Sequence, residues 1–254
     1  MRKLLNPAVL AAAVLLGAAG PAAAQTDFEW TGQLAPGQRI AIHDVNGSIR
    51  ASTAPGGNIV VTAVKRQGRR GNPADVRIET VAHAGGVTVC VIYGSGECRA
   101  GGAQSGNNGD NDTSVDFTVQ VPAGIGLRAA TVNGSINANG LQSDTEATTV
   151  NGSVTVATSG SARATTVNGA IQAAMGRLPN GGKFTTVNGE VTLQLPAATN
   201  ANVRVSTVSG DIRSDFPLQI DTEPGPKHAS GVIGAGGQAL DINTVNGGVT
   251  LLRR

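Results

Sequence analysis

Apolar and polar residues alternate along much of this chain with a period of two, the spacing of strands that bury one face. The alternation is longest at 58–65, 76–82, 87–93 and 115–121, between glycine-rich turns. These segments predict extended strands, arranged either as an antiparallel cap or as widened coils at the start of a longer stack.

Further along, the alternation settles into a repeated motif. It reads Asp44-Val45-Asn46-Gly47 and then Thr-Val-Asn-Gly at 131–134, 149–152, 166–169 and 186–189, Thr207-Val208-Ser209-Gly210, and Thr-Val-Asn-Gly again at 244–247. From Asn133 the copies advance by 18, 17, 20 and 21 residues, and the gap of 37 before Asn246 leaves room for one degenerate coil around Ser230-Gly231-Val232-Ile233. Periods of this size belong to solenoids.

Within each copy the Val, the Gly and the Ile or Val two positions later alternate with polar residues, which reads as one half-buried strand running through the motif. An isolated Asn-Gly is a strong hairpin signal. Here the copies are nearly identical and the spacers between them irregular, which favours equivalent strands stacked in parallel over a hairpin meander. The repeat pairs Asn46/Gly47, Asn133/Gly134, Asn151/Gly152, Asn168/Gly169, Asn188/Gly189, Ser209/Gly210 and Asn246/Gly247 then form structural columns, with the Asn amides laddered from coil to coil.

The expected fold is all-β: a single-chain parallel β-solenoid with an N-terminal antiparallel or irregular β region. Six coils from residue 131 onward make a rod on the order of 30 Å long. Residues 25–130 hold the N-terminal β region, the first repeat and a cysteine loop, and 131–254 hold the solenoid, as one continuous domain.

Residues 1–24 lie outside this pattern. Arg2 and Lys3, an apolar stretch over 7–20 and Ala22-Ala23-Ala24 form an export signal with cleavage expected before Gln25. The apolar stretch is short for a bilayer, and no membrane span is expected elsewhere. Arg2 and Lys3 leave with the signal, so 17 basic residues face 17 acidic ones. That balance offers no broad footprint for nucleic acid. The chain is expected in the periplasm or outside the cell.

Composition narrows the core. Thirty-six glycines stand beside only six aromatics, so burial falls to small aliphatic and β-branched side chains in columns. Both cysteines, Cys90 and Cys98, have seven residues between them. In an oxidising compartment they are expected to close a disulfide, which contributes roughly 2 to 3 kcal/mol in the chain-entropy model.

Reactive groups are scattered. His43, His83 and His228 lie far apart, and no nucleophile elbow, metalloprotease helix or phosphate loop is present. Gly234-Ala235-Gly236-Gly237-Gln238-Ala239 fits a dinucleotide fingerprint but leads into a strand, so it reads as a turn. Asp110-Asn111-Asp112 lacks the spacing of a calcium loop. No metal or cofactor is expected, and the Asn-Gly-Ser copies read as turn chemistry.

Three surface columns carry the remaining chemistry. Glu190 and Asp211 occupy one register position in consecutive copies, roughly 5 Å apart if stacked, near the carboxylate separation of retaining glycosidases. The position five before each Asn reads Arg128, Glu146, Arg163, Lys183, Arg204 and Asp241, a mostly basic column able to dock an acidic polymer. An outward Thr column would resemble an ice-binding array, although coil lengths of 17 to 21 spoil a lattice match. The last copy ends at Arg253-Arg254, read as charged gatekeepers on an open sheet edge that leave the protein monomeric or, without them, joined end to end.

The Thr-Val-Asn-Gly copies, the export signal, the Cys90 to Cys98 loop, the segment 115–124 and the ending Leu240-Asp241-Ile242-Asn243-Thr244-Val245-Asn246-Gly247 resemble the bacterial "putative adhesin" family, a domain-of-unknown-function group of envelope β-solenoid proteins. The resemblance spans nearly all of the chain after the signal. It implies the fold and an envelope location, and brings no catalytic residues. The resulting expectation is a non-enzymatic envelope scaffold or adhesin-like binding protein whose partner is an envelope or extracellular polymer or protein. The alternative is a β-helix carbohydrate-active enzyme using Glu190 and Asp211.

Overall fold

The computed structural model describes residues 26–104, 110–176, 178–221, 223 and 225–254. The export signal at 1–24 and the cleavage position at Gln25 lie outside them.

The chain is all-β. It enters through β1 (Phe28–Gly32), β2 (Arg39–His43), β3 (Ile49–Thr53) and β4 (Ile59–Arg66), then β5 (Val76–His83), β6 (Gly86–Tyr93), the small hairpin β7 (Glu97–Arg99) and β8 (Gly102–Gln104), and β9 (Ser114–Val121). Strands then come in pairs: β10 (Gly126–Ala130) and β11 (Ile136–Leu141), β12 (Thr145–Thr148) and β13 (Val154–Thr158), β14 (Ala162–Thr165) and β15 (Ile171–Met175), β16 (Gly182–Thr185) and β17 (Val191–Leu195), β18 (Ala201–Ser209) and β19 (Ile212–Ser214). Last come β20 (Gln219–Ile220), β21 (Lys227–Ile233), β22 (Ala239–Asn246) and β23 (Val249–Arg253).

Two long sheets result. One runs β1-β4-β9-β3-β11-β13-β15-β17-β23-β19, the other β20-β21-β18-β22-β16-β14-β12-β10-β2-β6-β5. A rung of the solenoid is one strand from each sheet joined by a motif copy, and neighbouring rungs pair in parallel. The motif is therefore the corner between the sheets. In most rungs the chain turns there, and the single strand read through each copy is broken in two.

Facing follows from that corner. The Thr side chain points inward and is buried, while Val132, Val150, Val167 and Val245 are 36 to 38% exposed. Alternation predicted the opposite, because it carried the strand period through a turn. The inward Thr hydroxyls also remove the outward Thr array.

The core between the sheets is thin. In the middle rungs it is lined by Ala129, Ala147, Ala164, Ala138, Val156 and Ala173, and Phe117 and Phe184 are its largest fully buried side chains. At the N-terminal end β4 runs antiparallel to β9 and β1 to β4, while β5 runs antiparallel to β6. These antiparallel strands close the stack.

The far end departs from chain order. The rung formed by β22 and β23, the last in sequence, lies between β16/β17 and β18/β19. The segment around Ser230-Gly231-Val232-Ile233, expected as a degenerate coil, lies in β21, an antiparallel strand on the outside of β18. Arg253 and Arg254 accordingly do not guard an edge. The Arg253 guanidinium stacks over Phe216 at 5.1 Å and donates to the Asp215 carbonyl, and the Arg254 guanidinium donates to the carbonyl of Met175.

Candidate functional site

The corner is built from three sets of hydrogen bonds. Each Asn side-chain amide donates to the Asn oxygen of the preceding rung, from Asn133 to Asn46, Asn151 to Asn133, Asn168 to Asn151, Asn188 to Asn168 and Asn246 to Asn188, at 2.8 to 2.9 Å. The Gly amides at 47, 134, 152, 169 and 189 donate to the Asn carbonyl of the following rung, as Gly152 does to Asn168 at 3.0 Å, and Gly247 donates to the Ser209 carbonyl at 2.8 Å. Beneath them the buried Thr hydroxyls donate to the Gly carbonyl one rung back, as Thr166 does to Gly152 at 2.9 Å.

Glycine is required here for space. A Cβ on Gly169 would stand 2.1 Å from the Gly152 carbonyl oxygen, and Gly134, Gly152 and Gly189 meet the same obstruction at 1.8 to 2.1 Å. Only the first copy adds a conformational demand, with Gly47 at φ 143°. Ser209 stands on the last rung, beside Asn246.

The first rung departs from the set. Asp44 takes the Thr position, is 6% exposed, and its Oδ2 has no hydrogen-bond partner among the described residues. Burial outweighs the Val45 and Asn46 amides and pushes its carboxyl up to about 7. Burial likewise raises the Tyr93 hydroxyl, with the nearby Asp44 adding to it. That hydroxyl donates to the Thr113 carbonyl at 2.7 Å. Nearby, Asp116 accepts from the Ser48 amide and hydroxyl and from Arg66; these outweigh its partial burial and hold its carboxyl below the usual range.

On the outer face of the second sheet, the order of rungs rearranges the charged column. In space it reads Arg128, Glu146, Arg163, Lys183, Asp241, Arg204, so that carboxylates interrupt the basic run. Arg128 and Glu146 pair at 3.7 Å. Two residues along each strand lies a neutral hydroxyl and amide column: Thr148, Thr165, Thr185, Asn243, Ser206. Ser206 donates to Asn243 at 2.7 Å.

Two hollows lie along this face. One, of about 650 Å³, is lined by Arg204, Ser206, Gln219, His228, Asp241 and Asn243. The other, of about 590 Å³, lies between Arg39, Glu146 and Arg163 and the turn residues Asp144, Ser161 and Asn180. In the second, Asp144 is already committed, accepting from the Ser161 amide at 2.9 Å and the Asn180 side chain at 2.6 Å.

The carboxylate pair does not form. Val191 donates to the Gly248 carbonyl and Val249 to that of Asp211, so the Gly248 rung stands between Glu190 and Asp211. The two acids are two rungs apart, roughly 10 Å along the stack. Asp211 is instead bound by Lys227 at 2.6 Å, with Arg213 at 3.8 Å; the Lys227 contact lowers its carboxyl below the usual range.

Cys90 and Cys98 are joined in a disulfide, with Cα atoms 5.6 Å apart. With Ile92 they form a small second core under the β7–β8 hairpin on the outside of the second sheet. His43, beside Cys90 in the register, lies beneath Gly102 of that hairpin, and burial first and Arg128 second lower its imidazole. Among the described residues no cluster of three His, Cys, Asp or Glu is placed to hold a metal, and no helix is long and apolar enough to cross a membrane. Asp110 and Asp112 face Arg70 and the Arg69 and Arg70 amides.

Sequence reasoning missed Asp44 and the displaced rung. Both had a signal in the aligned copies: Asp44 is the one non-Thr in the first position, and Ser209 the one non-Asn in the third.

Residues 74–252 match the family model described as Toastrack DUF4097. No curated protein matches the chain. Two solved structures are similar at low identity. A "putative cell adhesion protein" of Clostridium sporogenes ATCC 15579 is 10% identical over 91% of this chain and 100% of its own, with a TM-score of 0.39. A "putative adhesin" of Bacteroides fragilis NCTC 9343 is 9% identical over 91% and 98%, with a TM-score of 0.32.

Proposed function

The chain belongs to the Toastrack DUF4097 family, and from that premise we propose an exported, non-enzymatic binding module of the cell envelope, with residues 1–24 removed and 25–254 acting as one continuous unit. The observation that carries the reading is the outer face of the second sheet. There a rigid, laddered stack holds a mixed-charge column beside a neutral hydroxyl and amide column, ending in the hollow around Arg204, Asp241 and His228.

Such a face suits a long hydroxyl-rich or mixed-charge partner. Donors and acceptors repeat at the rung spacing of about 4.8 Å, and each adds little alone, so affinity has to come from many rungs at once. The hollow gives that surface a local anchor. The Cys90–Cys98 disulfide supports an extracytoplasmic location, since such bonds persist in oxidising compartments.

The test is binding of the processed protein to envelope and capsular polysaccharides, compared with Arg204→Ala/Asp241→Ala and with Thr192→Ala on the opposite sheet. The expected result is binding lowered at least tenfold by the first pair and unchanged by the second. Equal binding by all three, or release of reducing ends from the polymer, overturns the reading.

A further inference from the structure

The rung made last is held between two made earlier. β22 and β23 pair on one side with β16 and β17 and on the other with β18 and β19. The inserted rung buries Leu240, Ile242, Val249 and Leu251 completely. It also continues the Asn ladder from Asn188 through Asn246. β16 and β17 on one side and β18 and β19 on the other therefore define a slot one rung wide, and residues 239–254 fill it.

The connection into the slot is a strap. Residues 234–238 leave β21, which lies between the edge strand β20 and β18, cross the end of β18 and deliver the chain to β22. Three of the five residues are glycines at positive φ: Gly234 at 59°, Gly236 at 77° and Gly237 at 151°. The strap is tied down by Asn200, whose side chain accepts from the Ala235 amide at 2.8 Å, and by Asn202, whose side chain donates to the Gly237 carbonyl at 2.7 Å. Those are surface bonds, and the glycines allow an extended path. Opened out, five residues span roughly 17 Å.

We propose that the slot between β17 and β19 is an assembly site for a second copy of this chain, filled reciprocally by residues 239–254 of the partner molecule with the strap extended as the hinge. Every contact the rung makes in its own molecule is available in the other: the ladder at Asn188, the Thr244 hydroxyl on the Gly189 carbonyl, and the Arg253 stacking on Phe216. The exchanged and closed forms then differ only at the strap, the condition under which identical elements swap between copies. Concentration decides between them.

The register supplies a direct test, since Thr192 of β17 lies beside Thr250 of β23. Full-length chains carrying Thr192→Cys alone and Thr250→Cys alone are unfolded together with the native disulfide intact, refolded at high protein concentration and oxidised. The expected product is a covalent heterodimer whose peptide map links 192 to 250, several-fold more abundant than when the two chains are refolded separately and then mixed. A chain carrying both substitutions should close the same bond within itself when refolded dilute. Equal heterodimer from the two protocols overturns exchange, and failure of the double variant to close its internal bond overturns the rung order on which the slot rests.

Discussion

Asp44 stands where the other six motif copies carry threonine, and the substitution changes the chemistry of that rung. A threonine donates to a carbonyl one rung back, whereas an ionised carboxylate has no proton to give. Its Oδ2 is buried without a partner among the described residues, and its carboxyl is raised to about 7. Because the folded value lies above the unfolded one of about 3.9, the neutral acid is the form that folding favours. The stability this gives is complete below about pH 4 and is lost as pH rises toward 7, to a total of roughly 4 kcal/mol. Asp44→Thr should therefore raise the urea midpoint at pH 8 more than at pH 4; urea unfolding at both pH values checks this, and an unchanged pH dependence would count against it. The negative charge of Asp116, whose carboxyl Ser48 and Arg66 hold below the usual range, adds to the upward push on Asp44. Gly169 makes a second prediction of the same scale. Its Cβ would meet backbone, which cannot rotate away, so Gly169→Val should cost roughly 3 kcal/mol. Ala170→Ser, at the next position in the corner, should change the urea midpoint by almost nothing.

At the scale of the element, the corner ladder is cooperative in one direction only. Each amide donates backward along the stack, so an interior Asn both gives and receives, and the last rung has no successor to satisfy. Asn168→Ala removes two exposed side-chain bonds, Asn168 to Asn151 and Asn188 to Asn168, whose partners then turn to water; it should lower stability by about 0.5 to 1 kcal/mol. Ser209→Ala removes no ladder bond and should be nearly silent, which chemical denaturation of the two variants will separate. The ladder also shows why the strand period misread the motif. Alternation assumes an extended backbone, and the chain turns between sheets at these residues. The Val side chain is thereby turned toward solvent and the Thr toward the core.

For the whole molecule, the order of rungs in space matters more than their order in sequence. A stacked repeat normally frays from the ends of its chain, because each unit touches only its neighbours. Here the C-terminal rung touches two rungs and the N-terminal end carries an antiparallel cap. Hydrogen exchange should therefore be slow at Val249 and Leu251, close to the C-terminus, and faster at Ile212–Ser214, the edge strand in space. Peptide-resolved exchange will show it, and early exchange of 249–251 would contradict the stacking order. The same order disposes of the carboxylate pair, since the intervening Gly248 rung separates Glu190 from Asp211.

The sequence by itself determined the class of fold, the existence and spacing of the rungs, and the columns of asparagine and glycine that run through the middle of the stack. These follow from a local rule repeated many times: a period of two, a motif of four residues, and small side chains that fill a thin core. What only the tertiary structure decided is which rung lies beside which. The shared Val, Thr and Gly do not distinguish a rung that continues the stack from one that inserts into it; the one local mark is Ser209, which replaces the ladder Asn on the rung left at the edge. The outcome depends on where β20 and β21 fold back beside β18, and on the five-residue strap that carries the chain across β18. From that one long-range choice come the tethered terminal arginines, the interrupted basic column, the separated acids and the slot.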